Sequence, residues 1–160
     1  MNETKIRLAI VDDHRIVIDG LKSLLQGHDS FEVVAESDQP EQMLRMLKTI
    51  SVDILLTDIM MPGMSGGELA QKTRLLYSRI KILALSMSGE GSMVNELIEK
   101  AEISGYVLKN IGKAELIEAL LKIAAGGVYF SEEVIREMQK AQMDRKEIEE
   151  INLTAREIEI

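Results

Sequence analysis

The sequence predicts an α/β fold, a doubly wound five-stranded parallel sheet with a helical linker at its C-terminal end. Three observations carry that prediction. Short apolar runs recur about every 25 residues, with helical spacing after each. The units share no motif, which separates a layered sheet from a solenoid. The residues just past the first, third, fourth and fifth runs are Asp12-Asp13, Asp58, Ser86 and Lys109. Polar groups from four strand ends then meet at one sheet edge, the carboxyl edge where open parallel sheets place ligands and chemistry.

Ile6-Arg7-Leu8-Ala9-Ile10-Val11 forms the first strand and stops at Asp12-Asp13, and residues 15–26 then carry Val17, Leu21 and Leu24 at helical spacing. Phe31-Glu32-Val33-Val34-Ala35 is the second strand. Asp38-Gln39-Pro40-Glu41 opens a helix with capping-box spacing and an early proline, running to about residue 50. Ile54-Leu55-Leu56-Thr57-Asp58 is the third strand, apolar enough to be buried on both faces and broken by Pro62-Gly63. Ser65-Gly66-Gly67-Glu68 places a cap residue three before a glutamate, and a helix follows through about residue 77. Lys81-Ile82-Leu83-Ala84-Leu85 is the fourth strand, followed by Ser86, a glycine-rich loop and a helix over about 92–100. Gly105-Tyr106-Val107-Leu108 is the fifth, with Lys109 at its end and a last helix over about 113–125.

With 160 residues, 46% of them hydrophobic, the chain holds one full domain and something more. The expected layout is a sheet domain over residues 4–126, a linker over 127–151 and the start of another unit at 152–160. The absence of cysteine excludes disulfides and thiolate metal sites and suits a cytoplasmic location. There is no signal segment at the N-terminus, and no apolar run approaches the roughly 18 to 20 residues that span a membrane, so no membrane partner is expected. A formal charge of −8 opposes binding of this chain to nucleic acid, and any DNA-binding surface must lie elsewhere.

Three carboxylates at one edge repel each other unless a hard cation sits among them. Mg²⁺ suits the set: it takes oxygen ligands and brings phosphate into its shell. Asp58 then becomes a candidate nucleophile forming an aspartyl phosphate, with Mg²⁺ and Lys109 stabilising charge on the phosphoryl oxygens and Ser86 donating a hydrogen bond. Each residue alone has a plainer reading: Asp12-Asp13 as a turn, Ser86 as a strand terminator, Lys109 as a surface lysine. Their joint placement at strand ends argues against all of these at once.

On these residues the sequence resembles the receiver domain of two-component response regulators, over about residues 5–125. The resemblance makes Asp12-Asp13 the acidic pair, Asp58 the phosphoacceptor, Ser86 the switch hydroxyl, Tyr106 the switch aromatic and Lys109-Asn110 the lysine loop. It implies strand order 2-1-3-4-5, as in flavodoxin-like folds. It implies Mg²⁺ held directly by Asp13, Asp58 and the Met60 backbone carbonyl, with Asp12 acting indirectly, and a phosphoryl group supplied by a sensor histidine kinase. Such a protein catalyses only its own aspartyl phosphorylation and dephosphorylation. Asp-Asp-His resembles the opening of the NarL/LuxR-type subfamily, where His14 starts the first helix and does no chemistry; a metal-ligand or proton-carrier role for His14 is the minority alternative. Asp19 and Glu102-Ile103 depart from that subfamily's pattern, which has a basic residue and Gly-Ala there.

Beyond Val128-Tyr129-Phe130, Ser131-Glu132-Glu133 opens a helix toward residue 150 with Val134, Met138, Ala141 and Ile148 on a stripe that Arg145 interrupts, a solvated linker more than a coiled coil. Thr154 and Glu157 form a capping box for a further helix, and Leu153-Thr154-Ala155-Arg156-Glu157-Ile158-Glu159 resembles the opening of the LuxR-type helix-turn-helix domain. The chain is therefore expected to stop at the start of a domain whose recognition helix would enter the DNA major groove. Phosphorylation is expected to promote a homodimer through the first and fifth helices, using Ile18, Leu25, Leu116, Ile117, Leu120 and Leu121, with the face around the fourth helix and fifth strand as competitor. An enzymatic alternative, an Mg²⁺-dependent phosphohydrolase with an aspartyl-phosphate intermediate, expects an acid/base aspartate two residues past the nucleophile. That position is Met60. A flavin or nucleotide module on the same fold lacks a glycine-rich phosphate cradle after the first strand.

Overall fold

The structure, a computed structural model, describes residues 4–87 and 91–158. The glycine-rich loop expected after Ser86 falls at 88–90, outside the described residues. Strands β1 (Ile6–Val11), β2 (Phe31–Ser37), β3 (Ile54–Asp58), β4 (Lys81–Ser86), β5 (Gly105–Leu108) and β6 (Tyr129–Phe130) alternate with helices α1 (Arg15–Leu25), α2 (Pro40–Met46), α3 (Gly66–Leu76), α4 (Gly91–Ala101) and α5 (Lys113–Ala124), and α6 (Glu132–Ile158) follows. The sheet is parallel in the order β2-β1-β3-β4-β5-β6.

β3 is buried at every residue because it lies mid-sheet. Its side chains alternate: Ile54 and Leu56 join the core under α1 and α5, while Leu55 faces the layer of α2 and α3. A third cluster, between α3, α4 and the start of α6, contains Ile82, Ala84, Val94, Leu97, Tyr106 and Val134. Both faces of the sheet are thus covered, as parallel strands require.

The expected five strands become six. β6 has two residues, too few to show a period, and it pairs Gly105 with Tyr129 and Tyr106 with Phe130. Gly105 makes the pairing possible, since a β-carbon there would lie 2.5 Å from the Tyr129 carbonyl oxygen and 2.8 Å from Leu83 Cδ1. α2 also differs from expectation. Its N-cap is Gln39 with Pro40 in the first turn, no side chain caps it, and the helix ends at Met46 with turns beyond, so the Asp38 capping box is not used. At α3 the expected cap is present: Ser65 Oγ accepts from the Glu68 N–H at 3.1 Å.

The tail departs most. α6 is one continuous helix, where a break and a fresh cap at Thr154 were expected. Its first turns are seated on the domain, with Val134 fully buried and Met138 packed in the third cluster, because β6 delivers the chain onto α4. The side chains of Arg145 and Ile148 lie outside the described residues. The apolar surplus expected on α1 and α5 is mostly core: Ile18, Leu25, Leu116 and Leu120 are buried, Ile117 is partly buried, and Leu121 is 42% exposed. Glu102, which stands where the resemblance has glycine, adopts φ of 49°. Arg74 steadies that turn by donating to the carbonyls of Glu102 at 2.9 Å and Ala101 at 3.3 Å.

Gly105→Ala is expected to cost about 1–3 kcal/mol by overpacking the β5–β6 seat. Urea denaturation measures this, and a loss below about 0.5 kcal/mol would show that the seat yields without strain.

Candidate functional site

β1 and β3 are neighbours, so the acidic residues at their carboxyl ends come side by side, and the loop after β5 brings in a cation. Asp12 is fully buried and Asp58 is 2% exposed. Lys109 Nζ bridges them, 2.9 Å from Asp12 Oδ2 and 3.1 Å from Asp58 Oδ2, with only 8% of its side chain exposed. The lysine is aimed by its own backbone: its N–H donates to the Ser86 carbonyl at 2.9 Å. Asp58 Oδ1 accepts from the Met60 N–H at 3.2 Å, a contact that the turn after β3 supplies.

Asp13 lies at the rim, with 24% of its side chain exposed. Its Oδ1 is buried. Asp12, Asp13, His14 and Asp58 each present one ligand atom within 4.8 Å of the others. Ser86 and Tyr106 are brought to the same edge of the sheet but not to the same depth. Ser86 is buried one residue beyond Leu85, which pairs with Asp58. Tyr106 is fully buried beneath α4 and α6, two residues before Leu108, the partner of Ser86. Met60 is 66% exposed at the mouth.

Gly66 gained importance only in three dimensions, and His14, a minority ligand candidate in the sequence, is set beside the acidic pair. A β-carbon at Gly66 would fall 1.7 Å from the Asp58 carbonyl oxygen, so the first residue of α3 must be glycine for the helix to pack against the end of β3. In the sequence it passes for part of a helix start. His14 places Nδ1 3.1 Å from Asp13 Oδ1 and 3.4 Å from Asp12 Oδ1.

The electrostatics follow from burial and neighbours. Burial pushes the Asp58 carboxyl above its ordinary 3.8, and the Asp12 charge adds to this, while Lys109 and the Met60 N–H pull the other way. Burial alone would lower the Lys109 ammonium, but its contacts with Asp12 and Asp58 outweigh that and hold it above its ordinary 10.5. One lysine therefore faces three carboxylates, an excess of negative charge that suits a divalent cation.

A raised Asp58 means that the folded state holds this proton more readily than the unfolded chain, so ionising Asp58 lowers stability as pH rises through the native value. Asp58→Asn removes that cost. In EDTA at pH 7 the variant is expected to melt at least about 2 °C above the parent. The gap should shrink as pH falls through the raised value and vanish below the ordinary 3.8. Calorimetry across pH checks the sign, and a variant that melts lower at pH 7 would show that the Lys109 pairing dominates.

The comparisons agree with this geometry. The response regulator receiver domain model matches residues 8–121. The transcriptional regulatory protein DegU of Brevibacillus brevis is 34% identical over 88% of this chain, which spans 59% of the length of that relative. A two-component response regulator of the LuxR family from Aurantimonas sp. SI85-9A1 superposes with a TM-score of 0.81 at 29% identity, over 88% of this chain and 99% of that one. RcsB, solved as two dimers bound to two parallel DNAs, superposes with a TM-score of 0.79 at 26% identity, over 86% of this chain and 69% of its own. Its isolated REC domain from Salmonella enterica serovar Typhimurium, solved with the phosphomimetic BeF3-, gives 0.76 at 25% identity, over 84% and 99% of the two chains. The fold, the buried acidic edge and the matched span lead to one conclusion: the chain belongs to the response regulator receiver domain family.

Proposed function

We propose that this chain accepts a phosphoryl group on Asp58 from a phosphohistidine of a sensor histidine kinase in the cytoplasm, and through that modification governs a DNA-binding transcriptional output. The observation that carries the reading is Lys109 locked between Asp12 and Asp58 at the carboxyl edge of the sheet. An Asp58 oxygen forms the new bond to phosphorus as the phosphorus–nitrogen bond of the donor breaks, and Lys109 is the near cation for the charge on the phosphoryl oxygens.

The residues present fit Mg²⁺, because Asp12, Asp13 and Asp58 bring carboxylate oxygens within 4.8 Å of one another around a single lysine. In this reading Asp13, Asp58 and the Met60 carbonyl hold the ion, and Asp12 positions Lys109. Bound there, Mg²⁺ supplies Lewis-acid stabilisation of the transferring group. Ser86 and Tyr106 are assigned the switch. Ser86 shares a backbone hydrogen bond with Lys109, and Tyr106 lies in the cluster under α4 and α6, so a shift at the site reaches that packing.

The output assignment rests on the relatives: DegU is named a transcriptional regulatory protein, and RcsB was solved on DNA. Residues 4–126 act as the receiver, 127–151 as the linker, and 152–160 as the start of a LuxR-type helix-turn-helix domain, with DNA contacted by that domain and not by this acidic chain. Turnover of free phosphate esters has little support, because the position two past Asp58 is an exposed methionine with no proton to give. The reading is thus a regulator and not an enzyme acting on other substrates. Homodimerisation on phosphorylation is assigned to the α1–α5 face, since α6 already covers much of α4.

Incubation with acetyl phosphate and Mg²⁺ is expected to add one phosphoryl group, located on Asp58 by mass spectrometry and absent from Asp58→Asn. Asp13→Ala is expected to weaken Mg²⁺ binding by at least about tenfold, more than Asp12→Ala does. Labelling that survives Asp58→Asn would refute the acceptor, and the reverse order of the alanine variants would refute the ligand assignment. For the dimer, Leu121→Arg is the informative substitution because Leu116 is in the core. Light scattering with beryllofluoride should show the parent associating and this variant remaining monomeric; equal association would remove the α1–α5 interface.

A further inference from the structure

We propose that the His14 imidazole, set against the Asp12-Asp13 carboxylates, is an additional ligand to the divalent cation and turns an all-oxygen site into a mixed nitrogen and oxygen one that favours Mn²⁺ and Co²⁺ over Mg²⁺. This rests on the metal reading above and adds a donor to it. His14 Nδ1 is 3.1 Å from Asp13 Oδ1 and 3.4 Å from Asp12 Oδ1. Neighbouring ligand atoms in an octahedral shell with bonds of about 2.1 Å lie about 3 Å apart, so the His14 Nδ1 to Asp13 Oδ1 spacing fits two donors on one ion as well as it fits a direct pair, and Asp12 keeps its indirect role. The ligand atoms of Asp13, His14 and Asp58 fall within 4.8 Å of one another, close enough for small side-chain shifts to bring them onto one ion.

The backbone holds the ring in place. His14 is the N-cap of α1, with φ of −104° and ψ of 106°, and its N–H donates to Asp12 Oδ1 at 2.8 Å. Its carbonyl accepts from the Val17 N–H at 3.0 Å, so the residue is fixed on both sides. The imidazole meets the Asp12 and Asp13 carboxylates, and 64% of the side chain is exposed, which leaves room for an ion and its waters. Asp13 Oδ1 is the nearest carboxylate atom and is itself buried. Imidazole nitrogen suits first-row transition metals, and a mixed N/O site orders them Mn²⁺ below Co²⁺, both gaining over Mg²⁺, which prefers oxygen.

The rival role is an ion pair, in which a charged His14 occupies the carboxylates and competes with any metal. The two roles predict opposite signs. For a ligand, titration calorimetry of the 160-residue chain is expected to show His14→Gln losing at least about tenfold in Co²⁺ affinity while Mg²⁺ affinity stays within about threefold. For a competing ion pair, the same variant gains affinity for every cation. A second measurement needs no variant: pulsed electron paramagnetic resonance of the Mn²⁺-loaded chain should show the coupling of a directly bound nitrogen, altered by ¹⁵N-histidine labelling. His28, beside Phe31 in the turn before β2, serves as control, and His28→Gln should keep the signal. Unchanged or increased Co²⁺ affinity in His14→Gln, or no nitrogen coupling in the parent, would overturn the proposal. If Mg²⁺ binds and nitrogen is missing, only this inference falls; if no divalent cation binds, the metal reading falls with it.

Discussion

Asp12 and Asp58 are both buried on adjacent strands, and what makes that arrangement tolerable is the Lys109 ammonium lying about equally close to each. Buried carboxylates this near one another would otherwise be forced to take up protons or to separate. Removing either acid would leave the lysine with a single counter-charge, while removing the lysine would leave two like charges face to face. β1, β3 and the loop after β5 are therefore tied by electrostatics at the edge where a parallel sheet is least covered. The balance is also incomplete, since Asp13 adds a negative charge that no lysine meets. A site built this way has reason to take a cation.

Much of this was legible in the sequence because the signals were local. The strand pattern at Ile54-Leu55-Leu56 and the polar residues at successive strand ends were enough to bring Asp12, Asp13, Asp58 and Lys109 to one edge, and the cap at Ser65 was visible from the Glu68 spacing. What escaped depends on contacts between distant residues. A two-residue strand has no period, so β6 could be found only through its partner Gly105. Gly66 looks like any glycine at a helix start until the Asp58 carbonyl is placed against it. His14, a minority ligand candidate in the sequence, gains weight once its ring is set beside the acidic pair.

The apolar residues of α1 and α5 show the limit of periodicity in another way. Ile18, Leu116 and Leu120 sit beyond the narrowest core stripe, but the sheet face under these helices is wide enough to bury them. Conversely, the start of α6 carries few apolar residues and looked solvated, yet Val134 is as buried as any side chain in the protein because β6 fixes where the helix begins. Position along the chain, more than hydrophobic content, decided what was covered.

The course of α6 gives the domain a long arm. Its 27 residues in one helix span about 40 Å at 1.5 Å per residue, and Val134 and Met138, which seat it in the third cluster, both belong to its first turns. A tilt of about 10° at that base carries the far end through about 7 Å, a displacement far larger than any atom need make at the acidic edge. The fold thus holds mechanical gain in its geometry. A change of packing too small to disturb the sheet becomes, at the distal end of the helix, a movement larger than one helical turn.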